Sequence, residues 1–347
     1  MTDVTVAQGA QRQPALILLL TERSPRHQQA AIDAAPPGTT VVVLRHADRD
    51  AILARLPDVD FLISERAGVI DAAMIRAGTK LRLIQRLGTL THDIDLAAAR
   101  AAGIPVYTLP VRGCMMVAEH MLLQMLALLK RLPDASAAAL IEDDWGRPSR
   151  RTDENTFAYN WTQRRGVRSL FDATVGIVGF GEIGAELARR LRPMQPAQVL
   201  YHKRTRLPAN VEAELGITYA TSAALFAASD ILCCLLPYSA ATDMFLNAAV
   251  FAALPPGALV VHCGSGSVID EAALADALRG GHLGGAALDT FEWEPLRPDN
   301  PLLALARDPA MNVLLTPHTA AGTGAGRGGR AGDYVHVVRA LADGHAS

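Results

Sequence analysis

At 347 residues, half of them hydrophobic, the chain is long enough for two domains with sizeable cores. A net charge of −2 argues against nucleic acid or an anionic membrane surface as a main partner. The four cysteines, Cys114, Cys233, Cys234 and Cys263, sit in apolar segments without metal-ligand spacing, so no metal site is expected and the chain reads as reduced and cytoplasmic.

The opening residues lack the basic-then-apolar order of a signal peptide, and 1–13 read as a disordered lead. The 16–20 apolar run is far too short to span a bilayer. Residues 15–20 read as a strand, 25–35 as a helix ended by Pro36-Pro37-Gly38, 40–44 as a strand and 49–56 as a short helix. Strand 61–64, helix 71–77 stopped by Gly78, strand 81–86, helix 95–102 closed by Gly103 and strand 104–107 follow. This β-α alternation implies a parallel sheet with helices on both faces. It holds no glycine fingerprint, so it reads as a flavodoxin-like unit.

Residues 117–132 form a helix that is apolar nearly all round, which predicts burial between domains or subunits. Its methionines read as core filling, and Glu119-His120 as a satisfied helical pair. Residues 134–169 read as a polar, irregular excursion.

The chain is organised around the stretch 173–206. Its apolar strand runs into Gly179, Gly181 and Gly184, spaced G-x-G-x-x-G, with a helix over 182–192 and a second strand over 198–202. That context lifts a weak pattern to a dinucleotide-binding fingerprint. Gly179 makes the turn, Gly181 admits a pyrophosphate, and Gly184 allows close helix–strand packing. A tight βα turn without a ligand is the plainer alternative. An NAD site commonly carries an acid about 20 residues on, bonding the ribose 2′-OH. Here the position reads His202-Lys203-Arg204-Thr205-Arg206, with no acid. Lys203 and Arg204, with Thr205 as a further donor, would attract a 2′-phosphate, which favours NADP and leaves NAD possible.

Helix 220–227, strand 230–236 stopped by Pro237, helix 248–254, strand 258–263, helix 270–280, strand 284–289 and strand 312–316 complete a doubly wound second unit. Glycines follow His318 at 322, 324, 326, 328, 329 and 332, read as a mobile loop before a short helix at 334–341.

The ordered motifs are Gly88 before Asp93-Ile94-Asp95, Val117-Ala118-Glu119-His120, the glycine fingerprint, Val268-Ile269-Asp270-Glu271, Ala287-Leu288-Asp289 leading to Glu294-Pro295, and Thr316-Pro317-His318. Together they resemble the D-isomer-specific 2-hydroxyacid dehydrogenases. The resemblance implies an α/β fold of two doubly wound parallel-sheet domains, with a Rossmann nucleotide domain inserted into a flavodoxin-like substrate domain. The expected boundaries are 14–112 plus 319–347 for the substrate domain and 113–318 for the nucleotide domain. It also implies a homodimer and an active site in the cleft between the domains. Gly179, Gly181, Glu182, Ile183, Gly184, Lys203, Arg204, Thr205, Pro237 and Asp289 carry over as cofactor-binding residues.

Hydride transfer at a carbon bearing oxygen needs a general acid/base. His318 follows a strand and a proline, at the edge where such sheets place ligands. Glu294 matches the family carboxylate that pairs with that histidine and would fix its tautomer. The family places an arginine before Val268-Ile269-Asp270, polarising the carbonyl and holding the carboxylate; Ser265 stands there instead. Serine offers one neutral donor where arginine offers a charged fork. Arg86 and Arg112 are the cations considered as replacements. The family loop G-x-G before Asp-Asn reads Gly88-Thr89-Leu90-Thr91-His92-Asp93, and the backbone N–H groups of Gly88 and Thr89 are the expected carboxylate cradle. The expected function is an NADP-preferring oxidoreductase acting on a small 2-hydroxy or 2-keto acid such as glyoxylate or hydroxypyruvate. The alternative is a nucleotide-binding sensor or partner-binding protein whose dehydrogenase activity is impaired at Ser265.

Overall fold

The computed structural model describes residues 13–46, 48–65, 68–143, 145–308, 310–322 and 329–343. The lead at 1–12 and Gly324, Gly326 and Gly328 of the glycine-rich tail lie outside the described residues. The chain divides into two compact units, 1–111 with 324–347, and 112–323.

The first unit alternates β1 (Ala15–Thr21), α1 (Pro25–Asp33), β2 (Thr39–Arg45), α2 (Arg49–Arg55), β3 (Phe61–Glu65), α3 (Ala72–Ala77), β4 (Leu83–Leu87), α4 (Leu96–Ala101) and β5 (Val106–Leu109). All strands are parallel, in the order β2-β1-β3-β4-β5. Alternate residues face opposite sides. Ile17, Leu19, Phe61 and Ile63 pack with Ala31 and with Tyr334 and Val337 of the tail. Leu18, Leu20, Leu62 and Ile84 pack with Ile52, Met74 and Ala99 of α2 to α4. A sheet covered on both faces needs unbroken apolar runs, which is how its strands read. Asp48, Asp71 and Asp95 cap α2, α3 and α4, accepting the N–H three residues on at 2.8–2.9 Å. The helices expected from 71 and 95 therefore begin one residue later, with the aspartate as cap.

The second unit opens with α5 (Arg112–Leu129) and α6 (Leu132–Ala139). It continues with β6 (Thr174–Val178), α7 (Glu182–Leu191), β7 (Gln198–His202), α8 (Ala209–Leu215), β8 (Thr218–Tyr219), α9 (Ser222–Ala228) and β9 (Ile231–Cys234). Then come α10 (Ala248–Ala253), β10 (Ala258–His262), α11 (Glu271–Arg279), β11 (Leu283–Leu288), α12 (Pro301–Arg307) and β12 (Val313–Leu315). The seven strands are parallel, in the order β12-β11-β10-β9-β6-β7-β8. From β6 the chain winds outward through β7 and β8, then returns to β9 on the other side of β6. That reversal leaves a crevice at the C-terminal ends of β6 and β9.

One expectation is corrected here. The helix expected over 117–132 is two helices, because Arg131 takes a left-handed conformation (φ 48°) and Pro133 cannot donate to Leu129. α6 then occupies the start of what read as an irregular excursion. Within its unit α5 buries one face. Cys114, Ala118, Met121, Gln124, Met125 and Leu128 face inward, while Leu123 is 55% exposed. Among the described residues α5 alone is long and apolar enough to cross a membrane, and its inward face packs on α7 and the sheet as a core helix does. The helices α8 and α12 were not expected; α12 carries an Asn300 cap and Pro301 in its first turn, a start signal short enough to be overlooked.

Candidate active site

The candidate residues of the second unit lie past the C-terminal ends of β6, β7, β9, β10, β11 and β12. His318 follows β12 in a left-handed conformation (φ 52°), and its Nδ1 donates to Glu294 Oε2 at 2.7 Å. The other carboxylate oxygen accepts the Phe291 N–H at 3.1 Å, which fixes Glu294 against its own turn. With Nδ1 so engaged, Nε2 is the ring atom left for a reacting oxygen. His318 and Glu294 share one open recess of about 400 Å³ with Cys263, Gly264, Ser265, Gly266, Thr290, Phe291 and Glu292. Ser265 thus faces the same space as the His318–Glu294 pair.

Asp289 takes a role that the spacing did not suggest. Its side chain is 1% exposed and it holds the turn that carries His318. It accepts from Thr316 Oγ1 at 2.6 Å, from the Thr319 N–H at 3.0 Å and from the Ala320 N–H at 2.8 Å. His120 from α5 meets Thr316 Oγ1 at 3.0 Å, and Gln124 connects Thr316 to Cys263. The expected cofactor residue is thus a buried anchor of the turn that carries His318, and the Glu119-His120 segment contributes through His120.

The Ser265 turn is packed from below. Ser265 N–H donates to Leu236 O at 3.0 Å, and its carbonyl accepts from the Val268 N–H at 3.0 Å and from His262 Nε2 at 3.1 Å. Its Oγ accepts the Tyr238 N–H at 2.9 Å. His262 is fully buried, and burial pushes its pKa down to about 4, so the ring is neutral at physiological pH. Its Nδ1 has no partner among the described residues. Gly264 and Gly266 allow this packing: an added Cβ would lie 2.7 Å from Leu236 O and 1.8 Å from Phe291 O respectively. Thr290 Oγ1 ties the same turn through Gly264 O at 2.8 Å. His262, Thr290 and Tyr238 were not singled out in the sequence, because nothing local marks a strand-end histidine as a support.

At the crevice, Gly179 has φ 86° and a Cβ there would meet the backbone of Leu235 and Leu236 at 2.6–2.9 Å. A Cβ on Gly184 would meet the Phe180 ring at 2.9 Å, so this glycine makes room for that ring rather than for close helix–strand packing. A Cβ on Gly181 would meet nothing within 4 Å. The head of α7, with Glu182 and Ile183 in its first turn, therefore faces open space where its amides and dipole suit a pyrophosphate. The residues present fit a dinucleotide. Pro237 follows β9 at the same crevice, its carbonyl accepting from Thr242 Oγ1 at 2.8 Å.

The adenosine end differs from the sequence picture. An acid is present there: Glu212 of α8 grips Arg206 through two bonds of 2.9 and 2.7 Å and accepts from Tyr201 Oη at 2.7 Å. Arg206 also lies over the Tyr219 ring. Its charge is thereby neutralised by Glu212.

In the first unit, Gly88 (φ 138°) donates its N–H to Leu109 O at 2.8 Å. That overturns half of the expected carboxylate cradle, since this amide is taken by β5; Thr89 lies next to it, partly buried. Arg86 is 3% exposed and its guanidinium is ion-paired with Asp93, so it braces this loop and is not a free replacement cation. Arg112 is exposed at the start of α5 and is not among the residues lining the Ser265 recess.

Comparison with known proteins agrees with this geometry. The model of the D-isomer specific 2-hydroxyacid dehydrogenase NAD binding domain matches residues 123–320. D-3-phosphoglycerate dehydrogenase of Mycobacterium tuberculosis is 34% identical over 292 residues, 84% of this chain and 51% of that protein. The chain thus spans about half the length of these relatives. Hydroxypyruvate reductase of Thermotoga maritima is 30% identical over 81% of this chain and 84% of its own length. The PH0520 protein of Pyrococcus horikoshii OT3 shares the fold with a TM-score of 0.53 and 26% identity, covering 88% of this chain and 86% of that one. The glycine turn that opens onto free space, and the matched family domain around it, identify a nicotinamide-binding Rossmann unit, and the chain belongs to the D-isomer specific 2-hydroxyacid dehydrogenase family.

Proposed function

We propose that the chain is an oxidoreductase that transfers a hydride between NADP, or NAD, and a small 2-hydroxy or 2-keto acid of the glyoxylate or hydroxypyruvate kind. The observation that carries this reading is the His318–Glu294 pair at 2.7 Å, opening on the same recess as Ser265. The bound nicotinamide supplies or accepts the hydride. On reduction the substrate oxygen takes its proton from His318 Nε2; the ring that gives it carries protons on both nitrogens, and Glu294 accepts from Nδ1–H and orients it. Lys203, Arg204 and Thr205 favour NADP. A homodimer fits the exposed apolar residues Leu123, Leu132 and Leu140 on and beside α5 and α6. The four cysteines, none of them in a disulfide, suit a reducing, cytoplasmic setting.

Following NADPH absorbance with glyoxylate and hydroxypyruvate tests the reaction. Turnover that falls by about 10²–10⁴ in His318→Gln, with NADPH binding retained, is the expected result. Ser265 favours a second reading, a nucleotide-binding sensor with impaired chemistry. Tight NADPH binding with no oxidation of it by any carbonyl substrate would select that reading.

A further inference from the structure

The recess that holds the acid/base pair has a composition that bears on what enters it. Nine residues line it; two are glutamates, one is His318, and none is lysine or arginine. The position closest to a dedicated donor is Ser265. Its N–H, its carbonyl and its Oγ lone pair are all engaged, by Leu236, Val268, His262 and Tyr238. Its hydroxyl proton alone has no acceptor among the described residues. The turn thus presents one fixed, neutral O–H to the recess, on a backbone that cannot swing away.

The one cation an anion would meet here, His318 as proton donor, is offset by Glu294 at 2.7 Å, and the Glu292 carboxylate adds a further negative charge. A neutral carbonyl needs no net positive charge: one O–H bond from Ser265 and one proton from His318 satisfy its oxygen. Sites built around a charged fork reject ligands that lack its partner, because the fork is then left unpaired; a site without the fork has no such ground for rejection. Resting on the hydride-transfer reading above, we infer that the Ser265 recess takes uncharged 2-oxo compounds, such as 2-oxo amides and hydroxyketones, at least as well as the matching 2-oxo acid anions. In the reaction the carbonyl carbon gains the hydride from the reduced nicotinamide, and its oxygen gains the proton from His318. The products are an uncharged alcohol and the oxidised cofactor.

Pyruvate and pyruvamide differ in charge but hardly in shape, and NADPH oxidation with each tests the inference. The wild-type protein should give kcat/KM for pyruvamide equal to that for pyruvate or up to about tenfold higher. A tenfold or larger preference for pyruvate overturns the inference and leaves the hydride-transfer reading standing. Ser265→Arg, which places the missing fork at this position, should swing the ratio toward pyruvate by about 10² or more; Ser265→Ala should lower both rates alike. If Ser265→Arg fails to fold, the wild-type ratio decides alone. A binding readout separates the two readings: the unreactive pair oxamate and oxamide is titrated against the fluorescence of bound NADPH. Oxamide binding as tightly as oxamate supports the inference even where no turnover is found, in which case the hydride-transfer reading fails. Tighter oxamate binding, or no binding of either, overturns the inference.

Discussion

Two glycine-bearing turns at the same sheet edge do opposite things. The turn after β6 keeps its middle glycine against open space, so that a ligand can approach the backbone at Gly181. The turn after β10 keeps Gly264 and Gly266 against the backbone of neighbouring turns, so that protein can approach protein. A glycine in a motif is evidence of close approach, and only the neighbours say whether a ligand or the chain itself does the approaching.

The largest expected effect breaks the second turn. Gly266→Ala sets a methyl 1.8 Å from Phe291 O, and either the 263–266 or the 291–292 backbone must move. A cost of roughly 3 kcal/mol or more is expected, a loss of about 10 °C in Tm for a unit of this size, read by calorimetry. Gly181→Ala is the counterpart. Its extended backbone (φ −131°) suits any residue, so Tm should hold, while NADPH affinity falls by about tenfold or more in a fluorescence titration. If both variants lost stability and neither lost affinity, the contrast between the turns would be wrong.

His262 sharpens the same contrast through pH. Its folded pKa of about 4 lies below the ordinary 6.5, so the unfolded chain binds the extra proton in that window. The stability this ring contributes is full above pH 6.5 and is lost as pH falls toward 4, by up to about 3 kcal/mol. His262→Gln should flatten that part of the pH dependence in urea melts. A variant as steep as the parent would show that the ring titrates normally. The smallest expected effect concerns the far end of the first turn. Arg204→Ala should weaken NADPH about tenfold and leave NADH unchanged, whereas Arg206→Ala should change NADPH little, because Glu212 already holds that guanidinium. Equal effects at 204 and 206 would put both arginines on the 2′-phosphate.

Much of the fold was legible because both sheets are covered on both faces, and strands such as 61–64 and 174–178 then stand out as unbroken apolar runs between capped helices. The His318–Glu294 pair was legible because each residue sits in a local motif. What escaped depends on contacts distant in sequence. The N–H of Gly88 goes to Leu109, a strand away. Glu212 reaches back to Arg206 from a helix that was not expected. Arg86 finds Asp93 across the loop, which removes it as a spare cation. The break between α5 and α6 was missed because Arg131 and Pro133 sit in a run whose apolar character continues through Leu132.

The hydrogen bonds at residue 265 have a consequence for how this protein can change. Its amide and its carbonyl are tied to Leu236, Val268 and His262, and only one bond, from Tyr238, involves the side chain itself. The backbone there is a socket that keeps its shape when the plug is exchanged. On the inference drawn above, a single codon at 265 would re-address the site from charged to uncharged molecules, or back, while His318, Glu294 and the nucleotide crevice stay as they are. Selectivity and chemistry are mounted on separate turns, and evolution can adjust the first without reopening the second.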